Sequence, residues 1–541
     1  MKLGTLARTL RHVRPTQWLG QVRHRLRGVV PVSFTGETPS LAAIRPHAPF
    51  LGPPPAAHWD GRRRFRLLER EVCFDGPIDW RFVGEGPLWT FLLHQFHWAR
   101  DPAIAADVRA ATLLDWLERY PSGYGWSSDP TSFRAMNWTK LLLTPGALPD
   151  DAALRERIAR SLAAQIETLA VHLETHLLAN HYLTNLSALT LAGLAFSGPA
   201  ADRWLGHQAR YRAQLDEQIG ADGAHYERSP MYHAALLEQV LDVWNVARAT
   251  GRAPGSLLDA LRDTAERMLG ALDLFTHPDG EIALFGDSAF GFAQPPAACH
   301  AYGTALGLTA RQPDPRGLLL ETGYVRLEAG PFTLIASVGG AAPAYQPGHH
   351  HADALAFELS VGAERVVTDT GVCEYVPGPL RAASRATRSH ATLELDGRDQ
   401  SELWAAHRVG GRSQVRLVSA APPHGAEGTC RSWFARDSVH RREFAMHVDG
   451  VEIVDRVEGA VRAVRSSLPL APGLEPAMHG SRARLRTPAG AELVIELPTE
   501  LDWSVQRLPY MPRFGRMVER AALVGLGRGN GPFRLRIGFE A

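Results

Sequence analysis

The sequence predicts a multidomain α+β protein in which an all-helical region is followed by an antiparallel β-sandwich. Three observations carry this. The chain has 541 residues, several times the roughly 100–200 expected of one domain. From about residue 87 to 310 apolar residues recur every three or four positions, and beyond residue 318 the period falls to two. Between the two, R-Q-P-D-P-R-G at Arg311–Gly317 ends the helical pattern.

Residues 1–86 read as a basic helix and a proline-rich connector. Arg8, Arg11, Arg14, Arg23, Arg25 and Arg27 interrupt every apolar run before it reaches the ~7–15 residues of a signal-peptide core. No secretory signal is visible, so a cytoplasmic location is expected. The alternative is a basic amphipathic helix that docks on a membrane or a partner. Pro46, Pro49, Pro53, Pro54 and Pro55 cannot continue a helix.

Residues 87–312 form the helical domain. Leu154, Ile158, Leu162, Ile166, Leu169 and Leu173 fall on one stripe of a long helix, and similar stripes run through 104–119, 184–196, 233–248 and 256–275. Such a series implies helical hairpins. Residues 318–541 form the β domain. Phe332, Leu334, Ala336 and Val338 alternate, as do Phe444, Met446 and Val448 before Asp449–Gly450, which reads as a hairpin turn.

With 58 basic and 57 acidic side chains the net charge is +1, which gives no global argument for nucleic acid or an anionic membrane as a partner, so no nucleic acid is expected and any attraction for an acidic ligand is local. No apolar run reaches the ~18 residues of a transmembrane helix. Cys73, Cys299, Cys373 and Cys430 lack C-x-x-C spacing and read as free buried thiols. No organic cofactor is expected, and oligomeric state leaves no mark.

Several clusters offer chemistry. In Gly348–Leu359, strand alternation places His349, His351 and Asp353 on one side with Leu355 and Phe357, where imidazoles at a buried rim need a partner, a metal or a proton-transfer role. His351, Asp369 and His390 have the donor types for zinc, although Asp369 hydrogen-bonding its own turn explains that residue equally well. Asn180, at a helix start, reads as an N-cap; His181 beside it does not. Tyr226–His233 lies at another loop-to-helix junction. Arg134, Asn137 and Trp138 combine a cation, an amide and a flat ring, a set suited to an acidic sugar, although a tryptophan at such a position is more often core than platform.

Taken in order, R-A-M-N-W, N-H-Y-L-T-N, E-R-S-P-M-Y-H, F-G-D-S, G-H-H-H-A-D-A-L-A-F-E-L, V-T-D-T-G and R-A-T-R-S-H-A-T-L-E-L-D-G-R-D-Q-S-E resemble the heparinase II/III family of polysaccharide lyases over residues 90–480. The resemblance implies an incomplete α/α toroid followed by a β-sandwich, with an anionic polysaccharide held between them. It implies that Tyr232 is the catalytic tyrosine, that Asn180 and His181 neutralise the substrate carboxylate, and that His349 is a catalytic histidine. His351, Asp369 and His390 match structural zinc ligands. Arg134, Asn137, Trp138, Glu227 and Arg388 are assigned to substrate binding. Ala391 departs from the family's usual asparagine, and the missing leader suggests action on the cell's own exopolysaccharide.

These residues suit β-elimination. A uronate C5 proton is removed only when the adjacent carboxylate is neutralised, and O4 must be protonated as it leaves. Tyr232 can serve as base and acid if nearby cations lower its pKa from ~10; otherwise a histidine is the base. Two other readings stand beside the lyase: a glycoside hydrolase using carboxylates among Glu227, Asp287 and Asp353, and a glycan-binding protein without catalysis.

Overall fold

The computed structural model describes residues 3–540 except 313, 315 and 436, so two positions of the linker between the domains lie outside the described residues. Helices α1 (Leu3–Leu10) and α2 (Pro15–Arg27) open the chain. Where a bare connector was expected, Ala57–Trp59, Arg64–Leu67 and Arg70–Cys73 form a three-stranded antiparallel sheet. Its inward side chains Trp59 and Phe65 pack edge-on against Trp98, at 4.9 and 5.0 Å between ring centres, which anchors the segment to the helices.

The helical domain comprises α3 (Pro87–Gln95), α4 (Ala106–Arg119), α5 (Ser128–Leu143), α6 (Ala152–Val171), α7 (Ala179–Ala195), α8 (Pro199–Leu205), α9 (Gln208–Gln218), α10 (Pro230–Thr250), α11 (Gly255–Phe275) and α12 (Pro296–Ala305). The stripe from Leu154 to Leu169 is the buried face of α6; Leu173 lies past its end. Asp151 caps α6 by accepting from the Ala153 and Leu154 amides.

The β region holds three larger antiparallel sheets. Five strands run in the order Glu364–Val367, Phe357–Val361, Phe332–Ser337, Tyr324–Ala329, Leu318–Leu319. Eight strands run from Gln414–Ala421 at one edge to Ala477–His479 at the other, and four from Leu393–Leu395 to Leu501–Arg513. Phe332, Leu334, Phe444, Ile453, Leu523 and Ile537 from these sheets share one core. Every residue of Phe332–Ser337 is buried, because this strand faces apolar partners on both sides. Leu334 points to the β core, whereas Ile335 joins Phe275 and Phe285 of the helical domain in a second cluster. Burial on both faces fixes the five-stranded sheet against α11.

Two local expectations are corrected. The expected strand from 349 begins only at Phe357, and residues 348–356 are loop, with Leu355 at φ 62°. The hairpin at 449–450 turns one residue earlier: His447 pairs with Gly450, which already belongs to the strand Gly450–Glu458. A short helix, α13 (Pro379–Arg385), lies between the sheets in sequence. Among the described residues no helix is long and apolar enough to cross a membrane, and all four cysteines are free, Cys73 exposed and the others buried.

Candidate active site

Asp287 follows α11 in a loop of the helical domain and is fully buried. Its carboxylate accepts from both terminal nitrogens of Arg381, from His349 Nδ1 at 2.9 Å and from His351 Nε2 at 2.8 Å. Burial alone would raise its pKa, but Arg381 and the two histidines outweigh that and hold it well below the carboxylate range. The loop is pinned at both ends. The Asp287 N–H donates to His349 O at 3.0 Å, and Gly286, at φ 57°, leaves no room for a Cβ, which would lie 2.9 Å from that same oxygen.

Tyr232 enters from the first turn of α10. Ser229 caps this helix by accepting from the Tyr232 N–H at 3.2 Å while its hydroxyl donates to Asp287 O at 2.7 Å, with Pro230 at the first helical position. The tyrosine ring stacks on His349, 3.9 Å between centres and 26° between planes. Its hydroxyl lies 3.1 Å from that of Tyr375. The expected lowering of its pKa is corrected: burial, together with Asp287, Glu227 and Asp129, pushes the phenol up, against the Tyr375 hydrogen bond.

Glu227 links this pair to α7. Its Oε1 accepts the Asn180 N–H at 2.8 Å and its Oε2 lies 3.2 Å from His349 Nε2. Burial pushes the Glu227 carboxyl up, against the pull of His349, the Asn180 N–H and His181. Asn180 is not the cap of α7. The cap position is Leu178, at φ 60°, and Asn180 lies inside the first turn with its amide pinned by Glu227. His181 Nδ1 sits 3.3 Å from Glu174 Oε1 and 4.0 Å from Asp129 Oδ1. Burial opposes its charge, but Glu174, Asp129 and Glu227 raise its pKa to about 9, so it is a cation at neutral pH.

His351, Asp369 and His390 place one possible ligand atom each within 4.8 Å of one another, all buried. His390 Nδ1 donates to Asp369 at 2.9 Å, while His351 Nδ1 and His390 Nε2 are buried without a partner. Orphaned imidazole nitrogens beside a carboxylate fit a soft-to-borderline divalent cation. Arg520 donates to Thr368 O at 2.7 Å and Asp369 O at 3.0 Å, which fixes the Asp369 turn. Asp287, His349 and His407 are similarly close, but Arg381 already neutralises Asp287 and disfavours a second cation there.

Other assigned residues lie elsewhere. Arg134 is fully buried in α5, donating to Gln165 Oε1 (2.9 Å), His94 O (3.1 Å) and Gly125 O (2.7 Å), with its guanidinium 4.1 Å over the Trp116 ring. It clips helices together and does not face a ligand. Trp138 is core, edge-on to Phe96 and Trp116. Asn137 donates to Gln95 O at 2.7 Å and is equally buried. Arg388 forms a half-exposed pair with Glu394 at 3.1 Å and is not joined to the Tyr232 cluster. Conversely, Tyr375, Arg381, Glu174 and Asp129 line the candidate site without having been recognised: Tyr375 and Glu174 stand in loops, Arg381 in the seven-residue α13 and Asp129 in the first turn of α5, where no periodicity singles them out.

Helices presenting a capped tyrosine, a sheet domain returning histidines to it, and one carboxylate joining both define a two-part protein with an acid–base site at the seam. The chain belongs to the heparinase II/III family: the model for the heparinase II/III N-terminus matches residues 154–294, and that for the heparinase II/III-like C-terminal region matches 311–537. It is 26% identical over 375 residues to FtsZ-localized protein C of Caulobacter vibrioides, covering 66% of this chain and 60% of that one. It is 26% identical over 362 residues to heparin-sulfate lyase of Pedobacter heparinus, covering 60% and 53%. The chain thus spans little more than half the length of these relatives. Its fold is like that of heparinase III (TM-score 0.68, 17% identity, 89% of this chain and 82% of that one). It is also like a heparan sulfate lyase HepC mutant from Pedobacter heparinus (TM-score 0.60, 18% identity, 87% and 80%).

The placement of Arg134 yields a test. Arg134→Ala strands several buried carbonyls and is expected to cost on the order of 3–5 kcal/mol, seen as a lowered melting temperature, with no selective rise in KM for the folded fraction. A rise in KM at unchanged melting would return Arg134 to substrate binding.

Proposed function

We propose that the protein is a polysaccharide lyase that cleaves an anionic, uronate-containing glycan by β-elimination at the seam between its helical domain and its β-sandwich. The observation that carries this reading is the unbroken chain Asn180–Glu227–His349–Tyr232 with the His181 cation beside it. His181 and the side-chain amide of Asn180 bind the uronate carboxylate and cancel its charge, which lets negative charge move from C5 onto the carboxyl oxygens. Tyr232, kept protonated by burial and neighbouring carboxylates, is the acid. As the C5–H bond breaks, the C5 electron pair forms the C4–C5 double bond, the C4–O4 bond cleaves and O4 takes the Tyr232 proton. The C5 proton passes to the His349–Glu227 pair, whose facing nitrogen and carboxyl oxygen lie 3.2 Å apart. After the product leaves, the pair gives up the C5 proton and the Tyr232 oxygen, hydrogen-bonded to the Tyr375 hydroxyl, regains one from water.

Hydrolysis by paired carboxylates is less favoured. Asp287 is saturated by Arg381 and two histidines, Glu227 is held between Asn180 and His349, and Asp353 is buried with its carboxyl pushed up. The convergence of the cleft residues favours catalysis over idle glycan binding. We further propose that His351, Asp369 and His390 hold a structural zinc, which would brace the loop carrying His349 without touching the sugar.

A panel of uronate polysaccharides should include one that yields ultraviolet absorbance of an unsaturated product; reducing ends without that absorbance would mean hydrolysis. Tyr232→Phe should lower kcat at least a hundredfold with the melting temperature retained, and near-normal turnover would refute its acid role.

Because the His181 pKa is raised from 6.5 to about 9, kcat/KM should fall as pH rises through about 9. The ion pair's contribution to stability is complete below 6.5 and is lost over the same rise. A kcat/KM flat to higher pH would remove His181 from carboxylate neutralisation.

Elemental analysis of the purified protein should find about one zinc per chain. His390→Ala should release it and lower the melting temperature, whereas a protein whose stability ignores chelators would contradict the zinc.

A further inference from the structure

The N-terminal helix α2 is amphipathic in the reverse sense. Its face toward the protein is polar or small. Gln17 is buried and donates to Leu177 O at 3.2 Å and Tyr345 O at 3.4 Å. Gly20 lies so close to the loop after α6 that a Cβ would sit 2.7 Å from His176 N. The His24 ring stacks on His176 at 4.3 Å. The opposite face is apolar and open: Trp18 is 46% exposed, Leu19 73%, Val22 55% and Leu26 81%. At 3.6 residues per turn these four fall within an arc of about 100°, bordered on one edge by Arg25 and on the other by Arg23, both exposed.

The arc is not one instance of a general trait. Of the sixteen exposed large hydrophobic residues among the described residues, six lie between Leu3 and Val30; the rest are scattered along the chain. The first acidic residue of the sequence is Glu37, so the apolar arc and its arginines share an uninterrupted basic segment.

We propose that α2 seats the protein on an anionic phospholipid bilayer, with Trp18, Leu19, Val22 and Leu26 in the headgroup boundary and Arg23 and Arg25 against lipid phosphates. Charge complementarity selects this occupant: two arginines edge the apolar arc, which suits a negative surface. Size selects it too. A helix of 13 residues is about 20 Å long, and four side chains fall well short of the ~800 Å² per partner that a stable protein interface buries. An interfacial helix needs only ~5–10 Å of immersion. The reading is independent of the lyase assignment, since no residue of α2 belongs to the Tyr232 cluster.

Co-sedimentation of the full chain with vesicles tests it, using phosphatidylcholine alone against phosphatidylcholine with about one third phosphatidylglycerol. The wild type should partition to the anionic vesicles, less at high salt, and little to neutral ones. Combined Trp18→Ser, Val22→Ser and Leu26→Ser should lower partitioning more than tenfold, and Arg23→Gln with Arg25→Gln should remove the preference for phosphatidylglycerol. Both variants should stay folded with a melting temperature close to wild type, because Trp18, Val22, Leu26 and Arg25 are exposed and Arg23 gives up one exposed contact, to Val171 O at 3.3 Å. Three results would overturn the proposal: wild type left in the supernatant with both vesicles, the serine variant binding as well as wild type, or a wild-type dimer that the serine variant dissolves, which would make a second copy the occupant.

Discussion

One buried carboxylate holds the two halves of this protein in register. Asp287 belongs to the helical domain, and Arg381, His349 and His351 come from beyond the linker. Removing a carboxylate from water costs several kcal/mol, which only close cationic and N–H partners can offset. Each donor to Asp287 therefore has a consequence further out. The His349 proton is drawn to Nδ1, which turns Nε2 toward Glu227. The His351 proton is drawn to Nε2, which leaves Nδ1 free for a metal. A single anion thus sets the tautomer of one histidine against the stacked tyrosine and of another in the ligand cluster.

The same centre explains what was legible in the sequence. Apolar periodicity reports burial, so the helices carrying long stripes, such as α6 and α11, could be placed from spacing. Phe332, Leu334, Ala336 and Val338 share the β core as their alternation implies, but the residues between them are buried as well, Ile335 against the helical domain, which spacing does not show. Polar alternation misled: His349, His351 and Asp353 look like one face of a strand, yet they sit in a loop whose positions are set by Asp287, not by a ladder. Arg134, Asn137 and Trp138 share one face of α5, as their spacing implies. Spacing does not say whether that face looks into the cleft or into the core, and Trp116 beneath the guanidinium settles it. Tyr375 and Arg381 were illegible because a loop tyrosine and an arginine in a seven-residue helix acquire meaning only from partners distant in sequence.

An acid-rich site is an unexpected host for the anionic polymer proposed as its ligand. Asp129, Glu174, Glu227 and Asp287 all lie within reach of the cluster, and unpaired they would repel it. None is unpaired: Gln95 and His181 serve Asp129, Asn185 and His181 serve Glu174, Asn180 and His349 serve Glu227, and Arg381 serves Asp287. The excess negative charge is spent inside the protein on raising His181, so the group presented to a ligand is the cation and not the carboxylates that create it.

That arrangement also divides acid from base. A tyrosine among cations would lose its proton readily and could serve both steps. Here the carboxylates that charge His181 act on Tyr232 in the opposite direction from a base's requirement: Asp287, Glu227 and Asp129 all raise the phenol. A bound uronate would add negative charge and raise it further until His181 compensates. The phenol is therefore a donor throughout, and the acceptor must be a group whose proton has somewhere to go. In the proposed reaction the His349–Glu227 pair fills that place, its carboxyl pushed up by burial and 3.2 Å from the imidazole. The carboxylates that charge His181 thus favour, for that reaction, a base other than Tyr232.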